Sequence, residues 1–446
     1  MDRLDLQKIF DSSLNDIVGL LQIPSVYDES TINEKMPYGL NVYKAFMYMK
    51  DMAEKDGFNV KECDGHVLII SFGKGPRMDI ACHLDVVAAE KEDFDIRIED
   101  DKLIGRGTSD MKVPTYLVYL SLKMLKDKYP DLKKEIRLVL GGDEERTMND
   151  MKYYVEKHGL PEFAFTPDGY FPIGIGEKGA IMWTLKGDYD GVIKELDGGS
   201  QCNIISPYAT ALLKDIGKKE EVDEYIRSNI IDGKTSVEND LLKIETNGIG
   251  AHASRPKLGH NATIDLLKII ADVYNDKLSK NLYEIFSDSY GRGFDSYISE
   301  DQYKCLSVNL GRLTIKDNTV HSQVDCRYPF GKKAEELTDL IKERCIIDVS
   351  LDYNDDPTMC GEDDPYVQTM LKTYRDITGD YSEPVVSGGV SYSKVFGHCV
   401  GFGPMHEGKP EMAHQKGEYV LLKDCVEWFE IYYKTIENLI LMEVKQ

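Results

Sequence analysis

The run Met78-Asp79-Ile80-Ala81-Cys82-His83-Leu84-Asp85-Val86-Val87 is apolar and β-capable, and it breaks on a histidine and a carboxylate two residues apart. That is the pattern of a metal site at the end of a buried strand. Residues two apart on a strand point to one side, so His83 and Asp85 can share a pocket. The same punctuation recurs downstream. A strand predicted over Glu135–Leu140 runs into Gly141-Gly142-Asp143-Glu144-Glu145, and one over Phe163–Thr166 ends on Pro167-Asp168-Gly169. Asp110 comes from Gly105-Arg106-Gly107-Thr108-Ser109-Asp110-Met111-Lys112 and His414 from the segment Met405–Glu418. The candidate ligands are therefore His83, Asp110, Glu145, Asp168 and His414. Two imidazoles and three carboxylates without a thiolate suit zinc, and also manganese or cobalt, in a hydrolytic site. Five ligands serve two ions only if one carboxylate bridges them, which holds the ions about 3.5–4 Å apart, close enough to polarise one water and one scissile carbonyl together. Glu144, beside a proposed ligand, can take a proton from that water and pass it to the leaving amine. Asp85 can orient His83 and fix its tautomer.

The intervening elements must bring these residues together. An amphipathic opening helix over residues 3–22 stops at Ile23-Pro24, and a second helix is predicted over 39–56. Strands follow at Asn59–Glu62 and Val67–Phe72, then the strand into His83, a hairpin ending near Gly107, a helix over Lys112–Lys128 and a helix over 148–158. Strand and helix alternate, and three successive strands carry an acid or histidine just past the carboxyl end. In open α/β sheets ligands sit at that edge, so residues far apart in sequence can converge there.

The texture changes near residue 181. Strands are predicted at Ile181–Gly187, Leu241–Asn247, Ser307–Ile315, Thr319–Tyr328 and Asp348–Asp352, with helices over 261–276 and 334–346. The expectation is a catalytic α/β domain with a mixed, mostly parallel sheet and helices on both faces, built from 1–180 and 362–446. An α+β lid or substrate-binding domain, 181–361, is inserted into it. The second catalytic part holds a helix over 365–378, a Gly-rich turn at Ser387-Gly388-Gly389 and a terminal helix over Leu421–Met442.

Composition narrows the partners. A net charge of -24 without an offsetting Lys/Arg cluster repels phosphate backbones and anionic lipid, which argues against nucleic acid and membrane. The amino-terminal residues lack a basic and apolar leader, and no run of about 18 apolar residues occurs, so a cytoplasmic location is expected. Nine cysteines, an odd number without a CxxC pair, read as reduced thiols.

Taken together, the ordered motifs resemble those of the ArgE/DapE/carboxypeptidase G family of co-catalytic zinc amidohydrolases, and within it the PepV-like, Xaa-His dipeptidase (carnosinase-like) branch. The segments that carry the resemblance are His83-Leu84-Asp85, Gly105 to Lys112, Asp143-Glu144-Glu145, Pro167-Asp168-Gly169, Gly250-Ala251-His252-Ala253-Ser254-Arg255-Pro256 and Met412-Ala413-His414-Gln415-Lys416-Gly417-Glu418. The resemblance implies two zinc ions per chain. Asp110 bridges them, His83 and Asp168 complete one, and Glu145 and His414 complete the other. It makes Glu144 the general acid/base and Asp85 its helper, and assigns to His252 of the lid the stabilisation of the oxyanion. Asn203 and Arg327 resemble the substrate-binding pair, and a bidentate guanidinium suits a free carboxylate. Lys394 stands where the branch resembles Gly-Gly-Gly-Thr-Tyr-Ala-Arg, this chain reading Gly388-Gly389-Val390-Ser391-Tyr392-Ser393-Lys394; Val113 likewise replaces a glycine after Asp-x-Lys. The long lid implies a functional monomer, with a homodimer as the alternative.

The reading is thus a metal-dependent dipeptidase acting on small peptides with a free C-terminal carboxylate, through a metal-bridging water activated by Glu144. Two other readings use the same residues. An N-acyl or N-succinyl amino acid deacylase would share the metals and Glu144, and a non-catalytic metal- or peptide-binding descendant would account for Val113, Val390 and Lys394. No role falls to His66, His158, His260, His321, His398 or His406. Gly174-Ile175-Gly176-Glu177-Lys178-Gly179 matches GxGxxG without the βαβ setting of a dinucleotide site, and Cys82 reads as a buried residue on the back of its strand.

Overall fold

The computed structural model describes residues 3–442 apart from Gln302 and Glu407. The chain divides into two compact units, Met1–Gly176 with Met359–Gln446, and Glu177–Thr358.

The first unit is built on a mixed sheet. From one edge inward its strands run Asn59–Cys63, Val67–Phe72, Glu135–Gly141, Arg77–His83, Phe163–Thr166 and Cys399–Gly401, with short strands beyond. The last four of these pair in parallel, and the two outermost are antiparallel. Successive side chains along the central strands enter two different cores. Leu68, Ile70, Ile80, Cys82, Leu138, Leu140, Phe163 and Phe165 belong to one, and Val67, Ile69, Ala81, Val139 and Ala164 to the other. The alternation is the period-2 geometry of a strand buried on both sides, which explains why these strands are continuous apolar runs. Helices Arg3–Leu21, Leu40–Lys55, Lys112–Lys128, Pro365–Thr378 and Leu422–Leu441 contribute to the first core; Met151 and Tyr154 of Asn149–His158 contribute to the second. Helices therefore cover both faces of an α/β sheet.

His83 pairs with Gly141, and Ile80 with Phe165, so the carboxyl ends of three neighbouring parallel strands lie side by side. The strands at Arg97–Glu99, Lys102–Ile104 and Tyr419–Leu421 form a small sheet of their own, which ties the segment after His414 to the hairpin before Asp110.

The second unit is an eight-stranded sheet, ordered Gly233–Glu238, Leu241–Asn247, Tyr208–Leu213, Ile193–Gly198, Ser307–Lys316, Thr319–Tyr328, Gly179–Asp188 and Asp348–Asp355. All its pairings are antiparallel. Ala262–Tyr274, Lys277–Phe286 and Ala334–Arg344 pack their apolar residues into its core. Asn261 caps the first of these helices, its side-chain oxygen accepting from Thr263 N–H at 3.0 Å. Gly174 and Gly179 lie on strands, so the GxGxxG pattern forms no phosphate loop. Cys82 is fully buried, burial pushes its thiol up to about 12, and all nine cysteines are free thiols. Among the described residues no helix is long and apolar enough to cross a membrane.

Candidate active site

His83 ends its strand with a fully buried ring. Its Nδ1 lies 3.0 Å from the main-chain oxygen of Asp85 and 3.5 Å from the Asp85 carboxylate, so the backbone carbonyl is the closer acceptor. A carbonyl cannot donate, which places a proton on Nδ1 and leaves Nε2 of the neutral ring as a ligand atom. The Asp85 carboxylate also reaches the next strand end. Its Oδ2 accepts the backbone N–H of Glu145 at 3.1 Å, joining the ends of the strands Arg77–His83 and Glu135–Gly141.

Asp110 stands between the two imidazoles. Oδ1 is 3.0 Å from His83 Nε2, and Oδ2 is 3.0 Å from His414 Nε2. One carboxylate thus presents one oxygen to each ring. Glu145 is the second partner of His414, at 3.1 Å, and Asp168 approaches His83 Nε2 to 3.8 Å. Ligand atoms of His83, Asp110 and Glu145 lie within 4.8 Å of one another, as do those of His83, Glu144 and Asp168. His83 Nε2, Asp85 Oδ1 and Asp110 Oδ1 are buried and lack a hydrogen-bond partner among the described residues. Buried polar atoms are rarely left so, and a cation is the partner this nitrogen and oxygen set suits.

Electrostatics point the same way. Burial alone would push the His83 pKa down, but Asp110 and Asp85 drive it well above the usual imidazole range. Hydrogen bonds to Asp110 and Glu145 push His414 up to about 10. Burial raises Asp110, and the two histidines outweigh it and hold the carboxyl below its ordinary range. Glu144 moves the other way: burial, with Asp168, Glu145 and Asp110 adding to it against the pull of His83, raises it well above an ordinary glutamate. The cluster needs positive charge, which protons on the rings or bound metal can supply.

The supporting residues have no role assigned from the sequence, although Arg106, Lys112 and Glu418 lie in segments that carry the resemblance. Glu418, 1% exposed, receives Arg106 Nη1 at 2.7 Å, Ser109 N–H at 2.7 Å, Ser109 Oγ at 2.9 Å, and the N–H groups of Gly107 and Asp110 at 3.2 Å each. It fixes the loop that carries Asp110. Asp150 does the same for the glutamates: it accepts the N–H groups of Gly142 and Asp143 at 2.7 and 2.9 Å and the Tyr392 hydroxyl. Lys112, fully buried, caps the end of the opening helix through the carbonyls of Leu20 and Ile23 at 3.3 and 2.6 Å. Burial pushes its pKa down to about 7. Val113 lies in the main core rather than in the cluster, Val390 is half-buried, and Lys394 sits in the short helix Ser393–Phe396.

His252, Asn203 and Arg327 belong to the second unit. Ile204 bridges to His252, and the Asn203 carbonyl accepts Ala253 N–H at 2.8 Å, so the histidine and the asparagine share one loop cluster. Asn309 Nδ2 holds that cluster by donating to the carbonyls of Cys202 and Ile204. His252 Nδ1 accepts Ser254 N–H at 3.2 Å, which puts the proton of the neutral ring on Nε2. Arg327 gives Nε and Nη2 to Asp325 at 3.0 and 2.9 Å, both residues being buried.

The family model for peptidase family M20/M25/M40 matches residues 80–438, most of the chain and every candidate ligand. The chain belongs to this peptidase family. It is accordingly a metal-dependent peptide hydrolase. The peptidase is 30% identical over 467 residues to a "Putative dipeptidase" of Staphylococcus aureus (strain MRSA252), covering 98% of this chain and 99% of the relative. It is 29% identical over 451 residues to a protein of the same name from Staphylococcus epidermidis, covering 95% and 96%. The peptidase resembles in fold the crystal structure of human carnosine dipeptidase 1, with a TM-score of 0.58, 13% identity and 99% of both chains covered. It also resembles a tripeptidase of Staphylococcus aureus, with a TM-score of 0.57, 16% identity, and 99% and 100% of the two chains covered.

Proposed function

We propose that this peptidase is a two-metal dipeptidase that hydrolyses the amide bond of small peptides with a free C-terminal carboxylate. The observation that carries the reading is Asp110, one oxygen 3.0 Å from each imidazole and flanked by Glu145 and Asp168. His83 and Asp168 would hold one ion, Glu145 and His414 the other, and Asp110 both; zinc, manganese and cobalt all suit such ligands. Bound there, the ions supply Lewis acidity to the scissile carbonyl and acidify water. Glu144 takes the proton from the attacking water and returns it to the leaving amine. Its raised pKa brings it toward the range in which a carboxyl works in both directions near neutral pH. Asp85 and its carbonyl hold the His83 ring in the tautomer that leaves Nε2 to the metal.

The second unit (Glu177–Thr358) acts as the substrate-binding domain, and the first carries the catalysis. His252 donates from Nε2 to the developing oxyanion, Arg327 with Asn203 receives the carboxylate, and Asp325 presets the guanidinium. Lys394 completes the polar contacts to substrate from the first unit. The expected working unit is a monomer in the cytoplasm.

The test is turnover of free dipeptides, their C-terminal amides, and N-acetyl and N-succinyl amino acids by metal-stripped protein re-supplied with zinc, manganese or cobalt. Metal-dependent cleavage of free dipeptides, with the amides weakened mainly in KM, is expected. Cleavage of the acyl amino acids alone moves the assignment to a deacylase. Absence of any turnover with metals bound identifies a non-catalytic descendant.

A further inference from the structure

After the opening helix Arg3–Leu21 the chain turns through Ile23-Pro24-Ser25-Val26 in two tight steps. Ser25 N–H donates to the Ile23 carbonyl and Val26 N–H to the Pro24 carbonyl, both at 2.8 Å, the i to i+2 bonding of γ-turns. The N–H groups are thus used locally, and Pro24 has none to give. The hydroxyl and the carbonyl of Ser25, a fully buried residue, bond elsewhere. Its Oγ donates to the Leu84 carbonyl at 2.5 Å, and its carbonyl accepts Val86 N–H at 3.1 Å. Ser25 therefore grips the chain on both sides of Asp85. The same segment fastens a second part of the site, because the Leu20 and Ile23 carbonyls accept Lys112, two residues beyond Asp110. The match to the family model begins at residue 80, so Ser25 lies outside it.

We infer that Ser25 is a positioning residue of the candidate site: it fixes the two peptide planes that flank Asp85, and through Asp85 it sets how tightly the cluster holds metal. A peptide unit is planar, so the Leu84 carbonyl and Asp85 N–H turn together, as do the Asp85 carbonyl and Val86 N–H. Only the φ and ψ of Asp85 lie between these planes, and fixing both planes fixes both angles. The Asp85 carbonyl is then held against His83 Nδ1, 3.0 Å away, and its carboxylate is rooted beside Glu145 N–H, which it meets at 3.1 Å. The first contact leaves Nε2 of His83 to a cation, and the second places another proposed ligand. Without the hydroxyl the plane before Asp85 loses its anchor, and the aim of the next plane loosens with it. Residues that orient a metal-bound histidine are worth roughly 10–100-fold in metal affinity; Ser25 stands one step behind such a residue, so about tenfold is expected. The part that concerns metal rests on the two-metal reading, whereas the grip on Asp85 does not.

Amide hydrogen exchange in metal-free protein tests the grip without turnover. In the wild type, Val86 N–H should be protected like the amides of the strand Arg77–His83; exchange as fast as that of an open loop overturns the inference and needs no variant. Ser25→Ala should speed exchange at Val86 and Glu145 more than within the helix Lys112–Lys128. Glu145 N–H bonds to Asp85 rather than to Ser25, so its response reports transmission through Asp85. A merely structural loss would speed the helix as much, and that result overturns the inference. Zinc affinity, measured by competition with a chelator, is the second readout. Ser25→Ala should bind zinc about tenfold more weakly, and folded Ser25→Thr, which keeps the hydroxyl, should bind closer to wild type. Ser121→Ala is the control: Ser121 is equally buried and donates Oγ to the Leu117 carbonyl of its own helix at 2.8 Å, so its loss should leave zinc affinity unchanged. Unchanged affinity in Ser25→Ala, or a folded Ser25→Thr that binds no tighter than Ser25→Ala, overturns the inference. A wild-type protein that binds zinc but cleaves no peptide refutes the dipeptidase reading alone, while exchange and affinity still decide Ser25.

Discussion

Replacing Glu418 with glutamine tests whether the candidate site depends on a buried carboxylate far from it in sequence. The change keeps the shape of the side chain and removes its charge. Arg106, 4% exposed, would then keep a buried charge without a counter-ion, and removing one partner of a buried pair costs about 3–5 kcal/mol. The amide also turns one acceptor into a donor in a shell made of N–H and O–H groups, and each buried group left unmade costs about 1–3 kcal/mol. These effects overlap, so the expected total is about 4 kcal/mol, a large share of the ~5–15 kcal/mol of a typical fold. At ~2–4 °C per kcal/mol, metal-free Glu418→Gln should melt roughly 10–15 °C below wild type. The assay is thermal unfolding by circular dichroism, followed by zinc binding. The double change Arg106→Met with Glu418→Met removes the lone charge, so it should recover part of the stability. It should not recover metal affinity, because the N–H groups of Ser109 and Asp110 still lack their acceptor and the Asp110 loop is loosened. A melting point within ~3 °C of wild type for Glu418→Gln, about 1 kcal/mol, would refute the reasoning.

Three further outcomes follow from the cluster. In metal-free protein His414 holds its proton up to about pH 10, against ~6.5 for an unfolded histidine. Its ionisation therefore contributes stability that is fully present below about pH 6.5 and lost as pH rises through about 10, and Tm of metal-free protein should fall across that window. Because metal needs the neutral ring, zinc added near pH ~7.5 in weak buffer should release about one or two protons per chain; a pH indicator that registers none contradicts the assignment of the histidines. Glu144→Gln should leave metal content unchanged and lower kcat by ~10²–10⁴, and undiminished turnover would remove Glu144 from the mechanism.

The first unit is legible in the sequence because its central strands are buried on both faces. Val67–Phe72, Arg77–His83, Glu135–Gly141 and Phe163–Thr166 are apolar runs that break where they reach the sheet edge, so the change of residue type at His83, Glu144 and Asp168 marks that edge. In the second unit the antiparallel strands carry weaker signals. Ile193–Gly198 reads Ile-Lys-Glu-Leu-Asp-Gly and Gly233–Glu238 is a polar edge strand; their state is set by pairing with neighbours rather than by their own pattern. The strand Tyr208–Leu213 and the helices Lys219–Ser228 and Lys277–Phe286 likewise lie outside the elements expected from sequence. The role of Glu418, a residue of one of the resembling segments, is hidden for a different reason: one of the N–H groups it binds, that of Gly107, lies 311 residues earlier. The available clue is Arg106, a cation inside a small-residue loop that leads to a candidate ligand and so calls for a buried anion.

Whether Asp110 joins two metal ions at a peptide-cleaving site is decided most directly by Gly-Ala hydrolysis with metal-stripped protein, as zinc or manganese is added in known equivalents. Turnover that climbs to a plateau at two equivalents per chain is predicted. A plateau at one equivalent, or turnover independent of added metal, would contradict it.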